Sequence, residues 1–392
     1  MERNIVEWVD VNSDALIGLS REIHANPELS GMEHQAAALH AGLLREKGFR
    51  VEQPFLDMDT AFQAVCDSGR PGPCVAYLAE YDALPEIGHG CGHNLLGVVS
   101  TFAGLALSRV VAQTGGRVMV LGCPAEETNG AKVDMAAKGV FEQVDVAMLA
   151  HPYYRFQESG STSALQAIRY EFFGKEAHSA DAPEAGINAL EGVLALFRYV
   201  DKVRAELSTG TSINGIISNG GRVANVIPGY ASAEFHLRGP SGGALTRLAR
   251  DMEWEARQIA ARLGAQVKIS HYEPTYENMV TNRALSGVFV SCLQQVGPVD
   301  IAPPENSPFS LDMGNVSHVC PAIHPYFGIC QDVRLELHTA EFCACSVGDY
   351  AHRQALVAVK ALALTGLRVL KDRELLARIK DEFDRNVRNI AK

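Results

Sequence analysis

The chain has 392 residues, enough for two or three domains and a large core that needs no covalent staples. Hydrophobic residues make up 47% and charged residues 21%, which excludes a disordered, collagenous or coiled-coil chain. With 35 Lys plus Arg against 46 Asp plus Glu, the net charge is −11, an unfavourable balance for gripping nucleic acid or an anionic membrane.

The opening MERNIVEWVD lacks the basic segment and apolar stretch of a secretory signal. The most apolar stretch, residues 97–111, is short and interrupted by Ser100, Thr101, Ser108 and Arg109, so it reads as a buried helix rather than a membrane span. Nine irregularly spaced cysteines fit reduced thiols in a cytoplasm better than a disulfide framework.

In chain order, hydrophobic periodicity predicts helices over residues 6–26 and 32–47 and strands over 51–53, 62–67 and 74–80. A helix over 94–113, a strand over 117–123, a helix near 131–138 and a strand over 144–150 follow. Alternating short apolar strands and helices indicate an α/β layer, in which chemistry collects at the carboxyl ends of the strands. Glu80 with Asp82, Glu126 with Glu127, and His151 all fall at such ends.

Between residues 164 and 276 the pattern changes. A strand (164–173), a long helix (184–207), two strands (212–218 and 230–238), a second long helix (242–263) and a last strand (266–271) give the β-α-β-β-α-β order of a ferredoxin-like α+β domain. Afterwards come a helix over 283–295, a loop over 303–310, a strand over 322–329 and helices over 350–370 and 373–389. The expected organisation is one α/β domain, residues 1–163 and 277–392, interrupted by an inserted domain at 164–276.

His89-Gly90-Cys91-Gly92-His93 is the densest group of metal-ligand types, with glycines that let a tight turn aim several side chains inward. It reads equally as a glycine-rich turn with one buried Cys. Glu126 and Glu127 could divide labour, one ligating and one moving a proton, if their surroundings push their proton affinities apart; the alternative is a solvated acidic turn. His151 and His338 are ambiguous singly. Together these residues suffice for a two-metal site.

The order of motifs resembles the M20 metallopeptidase/amidohydrolase family, in the branch of aminobenzoyl-glutamate hydrolase and M20 domain-containing protein 2. The matching segments begin with Arg21-Glu22-Ile23-His24, Pro27-Glu28-Leu29-Ser30, Tyr81-Asp82-Ala83-Leu84-Pro85 and His89 to Asn94. They continue with Pro124 to Glu127, Ala150-His151-Pro152 and Ala177-His178-Ser179-Ala180. Asn225-Val226-Ile227-Pro228, Asp312-Met313-Gly314-Asn315-Val316-Ser317 and Leu337-His338-Thr339 complete the series. Asn94 and Ala340 depart from the Asp and Pro common in the wider family.

The resemblance implies a zinc-peptidase-like α/β catalytic domain with an inserted ferredoxin-like lid and dimerisation domain. It implies two divalent ions, zinc first and manganese or cobalt as alternatives, held by Cys91, His93, Glu127, His151 and His338, with Cys91 bridging. Glu126 is then the general base and acid, and Asp82 buttresses the metal site. His178 would polarise the scissile carbonyl from a partner subunit, and Asn225 and Arg238 would hold a substrate carboxylate; by itself, Arg238 reads as a surface ion pair. The expected function is hydrolysis of an amide bond in a small N-acyl amino acid or dipeptide by a homodimer. Removal of an amine or carbamoyl group from a small aromatic or ureido compound is the alternative, and a silent small-molecule binder the third reading.

Overall fold

The computed structural model describes residues 1–297, 299–331 and 333–390. The chain divides into two units. The first comprises Met1–Ser161, Met279–Ser307 and the described residues from Leu311 onward; the second comprises Thr162–Asn278 with Pro308–Ser310.

The first unit is built on a six-stranded sheet in the order Arg50–Glu52, Phe62–Asp67, Arg117–Gly122, Cys74–Ala79, Val146–Met148 and Ala322–Ile323. The last four strands are mutually parallel, so their carboxyl ends share one rim. The strand Cys74–Ala79 is buried at every position, as expected of a parallel strand covered on both faces. The helix His93–Thr114 is apolar almost all round and packs on this sheet beneath the helix Asp349–Lys371. At 22 residues it is longer than the apolar stretch suggests and is the one described helix long and apolar enough to cross a bilayer; 83% of its most apolar window is buried in the core.

Three predicted elements differ. The helix over 6–26 is two helices, Glu2–Val11 and Ser13–Ala25, meeting at Asn12, whose backbone leaves helical geometry at φ −100°, ψ 12° and whose side chain donates to Trp8 O at 2.7 Å. The helix over 184–207 starts only at Ala189, where Asn188 caps Leu190 N at 3.0 Å. The strand over 322–329 breaks at His324-Pro325, Pro lacking a donor, into Ala322–Ile323 and Tyr326–Gly328. The second piece pairs in parallel with His151–Tyr153, bringing Tyr326 opposite His151.

The second unit has a four-stranded antiparallel sheet in the order Ser212–Asn219, Tyr230–Gly239, Ala164–Phe173, Gln266–His271. The helices Ala189–Arg204 and Gly242–Leu263 bury their apolar stripes against it around Tyr170, Phe172 and Phe235. This is the ferredoxin-like arrangement. A two-stranded ribbon, Ala177–His178 with Val226–Ile227, is added to it.

Candidate metal centre

The rim of the six-stranded sheet gathers the predicted ligands of the first unit. Cys91 and His93 enter through the turn before the helix His93–Thr114. Gly92, at φ 78°, occupies a left-handed conformation there, and a Cβ on it would lie 2.9 Å from Pro152 Cβ. Glu126 and Glu127 follow the strand Arg117–Gly122 through Ala125, a non-glycine at φ 59°. His338, also left-handed at φ 64°, is tied by its N–H to Gly90 O at 2.9 Å. Such backbone costs on the order of 1–3 kcal/mol per residue and marks places the surroundings hold firmly. At Ala125 the restraint is Glu33, a buried side chain that the sequence did not single out. Its Oε1 accepts from Ala125 N and Gly31 N at 2.8 Å, and its Oε2 from Thr60 at 2.9 Å.

Two ligand triads result, Cys91–His93–His151 and Cys91–Glu127–His338, the donor atoms of each lying within 4.8 Å of one another. They share Cys91. Its Sγ is 3.5 Å from His151 Nε2, and Glu127 Oε1 is 3.4 Å from His338 Nε2. The ring tautomers suit ligation. His93 gives Nδ1 to Asp82 Oδ1 at 2.8 Å and His151 gives Nδ1 to Pro152 O at 2.7 Å, leaving each Nε2 turned to the centre. Asp82 Oδ2 also accepts from Ser30 Oγ at 2.8 Å and Glu127 N at 3.0 Å, so it braces two ligands at once.

His93 Nε2 and Glu127 Oε1 are buried with no hydrogen-bond partner among the described residues. Buried polar atoms left without partners beside a thiol are what a bound cation would satisfy, and thiol, imidazole and carboxylate together suit a zinc-class ion. The residues fit such a group.

The electrostatics separate the adjacent glutamates. Burial, then the charges of Glu80, Asp312 and Glu127, push Glu126 well above the usual carboxylate range. Burial also opposes ionisation of Glu127, but the close approach of His338 and the charge of nearby His93 hold it below that range. Burial pushes the Cys91 thiol far up, with only partial relief from His93. Burial, with His324 and His93 alongside, keeps His151 neutral.

Beneath the site lies a charged group that the sequence did not single out as a unit. Lys132 Nζ bonds Glu80 Oε1 at 2.8 Å and Asp312 Oδ1 at 2.6 Å, all three side chains nearly inaccessible. Lys132 sits among alanines in the helix Ala131–Ala137, where a sequence reads a solvated lysine. His324, stacked on His151 with ring centroids 5.4 Å apart, was likewise missed.

The other three predicted residues belong to the second unit. His178 is exposed; its Nδ1 accepts from Ala180 N and Asp181 N, both at 3.2 Å, so the neutral ring presents Nε2–H outward. Asn225 stands beside it, its carbonyl accepting from Ser179 N at 3.0 Å. Arg238 donates to Ser310 Oγ at 2.9 Å and forms no ion pair among the described residues.

A family model described as "Peptidase dimerisation domain" matches residues 162–263. The chain is 34% identical to Xaa-Arg dipeptidase of Mus musculus, over 98% of this chain and 92% of that protein. It is 27% identical to one of the subunits of the p-aminobenzoyl-glutamate hydrolase of Escherichia coli (strain K12), over 75% of this chain and 65% of that one. In fold it is similar to a dinuclear metal-binding peptidase of the M20 family from Bacillus subtilis, with a TM-score of 0.70 at 19% identity, covering 93% of this chain and 99% of that chain.

Proposed function

The chain belongs to the M20 peptidase family and is an amide hydrolase of small dipeptides or N-acyl amino acids, and on that footing we propose how its own residues perform the reaction. Cys91, His93, Glu127, His151 and His338 would hold two divalent ions, zinc in the first instance, Cys91 belonging to both groups of donors. Bound there, the ions supply Lewis acidity that acidifies a water and polarises a carbonyl. Glu126, with its raised proton affinity, takes the proton of the attacking water and returns it to the departing amine. Asp82 keeps His93 in the tautomer that presents Nε2. The observation that carries this reading is the pair of donor groups meeting at Cys91 next to a glutamate whose proton affinity burial and neighbouring carboxylates raise.

The protein acts as a cytoplasmic homodimer through the inserted unit. The dimerisation-domain match supports this, as does the strand Ser212–Asn219, a sheet edge with Ile216 61% exposed. Across that interface His178 Nε2–H donates to the developing oxyanion, while Asn225 and Arg238 hold the substrate carboxylate.

The test is mass-spectrometric turnover of a mixed library of dipeptides, including Xaa-Arg, and N-acyl amino acids, with zinc, manganese or cobalt added separately. Metal-dependent release of a free amino acid is expected. Absence of turnover across the library in metal-replete protein would overturn the reading.

A further inference from the structure

We propose that Glu80 is an additional protein donor to the ion on the His93–His151 side, an inference that rests on the two-ion reading above. Glu80 follows the buried strand Cys74–Ala79, and its side chain is 2% exposed. Its two oxygens have different fates. Oε1 is taken by Lys132 Nζ at 2.8 Å, and Lys132 is itself fixed by Asp312, which binds its ammonium at 2.6 Å and its backbone N–H at 3.2 Å. Oε2 has no hydrogen-bond partner among the described residues, although fully buried. It lies 3.3 Å from His93 Nε2, which likewise has no hydrogen-bond partner among the described residues, while Nδ1 of that ring faces Asp82.

A carboxylate oxygen and an imidazole nitrogen this close share a positive charge between them, a proton on His93 in the metal-free protein or a metal ion that displaces it. Two donors each about 2.1 Å from a common ion, at angles between octahedral and tetrahedral, are about 3.0–3.4 Å apart. The Glu80–His93 distance falls in that interval. The donor atoms of Glu80, His93 and Glu126 also lie within 4.8 Å of one another. Lys132 leaves Glu80 one oxygen to offer, and its ammonium, 2.8 Å from the other, offsets negative charge among the buried carboxylates. Glu80 therefore completes the coordination of the buried ion as a monodentate ligand.

The deciding measurement is a crystal structure of the wild-type protein loaded with zinc alone. Glu80 Oε2 is expected within about 2.0–2.2 Å of one ion. Two ions present with Glu80 Oε2 beyond about 3 Å would overturn this proposal and leave the two-ion reading standing. No ion against Cys91, His93 and His151 would overturn both. In solution, Glu80→Gln in the full-length protein is expected to weaken one of two zinc ions at least about tenfold in competition with a chelator, the other unchanged. Wild-type affinity for both ions in that variant would count against the assignment.

Discussion

Glu127 Oε1 lies 3.4 Å from Nε2 of His338, and this contact sets Glu127 apart from the glutamate that precedes it. His338 helps to keep Glu127 anionic, while Glu126 faces Glu80 and Asp312 and holds a proton more readily. Glu126→Gln should accordingly keep the fold and the metal content and lower kcat by at least about 100-fold, the low end of general acid–base contributions. Elemental analysis beside steady-state kinetics checks it; near-normal turnover in metal-replete protein would remove Glu126 from the role.

The buried Cys91 thiol resists ionisation, so a metal binding there must displace its proton. Metal affinity should rise with pH, by about tenfold per unit for each proton released. Cys91→Ser should lower occupancy, a hydroxyl being a poorer ligand than thiolate. Unchanged stoichiometry in the serine variant would make Cys91 one more core cysteine.

Gly92→Ala places a Cβ against Pro152 in a left-handed turn between two ligands. The expected result is a loss of at least about 1 kcal/mol of stability together with weaker metal retention, measured by thermal unfolding with and without zinc. A variant equal to wild type in both would show that the turn relaxes freely.

A pH effect on stability should arise away from the centre. His40 is fully buried, hydrogen-bonds among the described residues with Thr101 Oγ at 2.9 Å, and stacks on Tyr81; burial lowers its pKa to about 3. Its folded pKa lies below the unfolded value of about 6.5, so the unfolded chain binds the extra proton between the two. The stability His40 contributes is full above pH ~6.5 and declines as pH falls towards 3, by up to about 1.4 kcal/mol per pH unit. Denaturant unfolding between pH 7 and 4.5 should show a shallower loss in His40→Leu than in wild type. Parallel curves would show that His40 titrates normally.

For the dimer, protomers carrying His178→Ala and Glu126→Gln, each nearly inactive alone, should recover activity when subunits exchange. Random mixing makes about half the dimers mixed, each with one intact site, so up to about a quarter of wild-type activity should return. Exchange verified by mass spectrometry without recovery would show that His178 does not act in trans.

Much of the fold, and the gathering of the candidate site at one rim, was readable in the sequence because the information is local there. Apolar runs such as Cys74–Ala79 can only be buried strands or helix segments, and residues just beyond them, Glu80, Asp82 and His151, must reach the rim. The inserted unit declared itself by element order. What escaped was non-local or depended on burial. Nothing near Lys132 distinguishes it from a surface lysine until Asp312 folds against it. Glu33 precedes a helix like any acidic residue, yet it braces Ala125 far along the chain. The break at Asn12 is a one-residue departure from helical backbone that periodicity does not register.

The interruption of the first unit has a consequence for how the protein comes into being. The strand Ala322–Ile323 and the helix Asp349–Lys371 complete the sheet and cover the helix His93–Thr114, yet they are synthesised after the whole inserted unit. Domains generally fold as units, N-terminal first, as the chain leaves the ribosome. Here the first 161 residues must wait with an open sheet edge and an uncovered apolar helix, while the inserted unit, continuous but for three residues, can fold ahead of them. The nascent chain is thus most exposed to aggregation in the interval before Asp349–Lys371 emerges, and a polypeptide ending short of that helix should depend on chaperones that hold apolar surface.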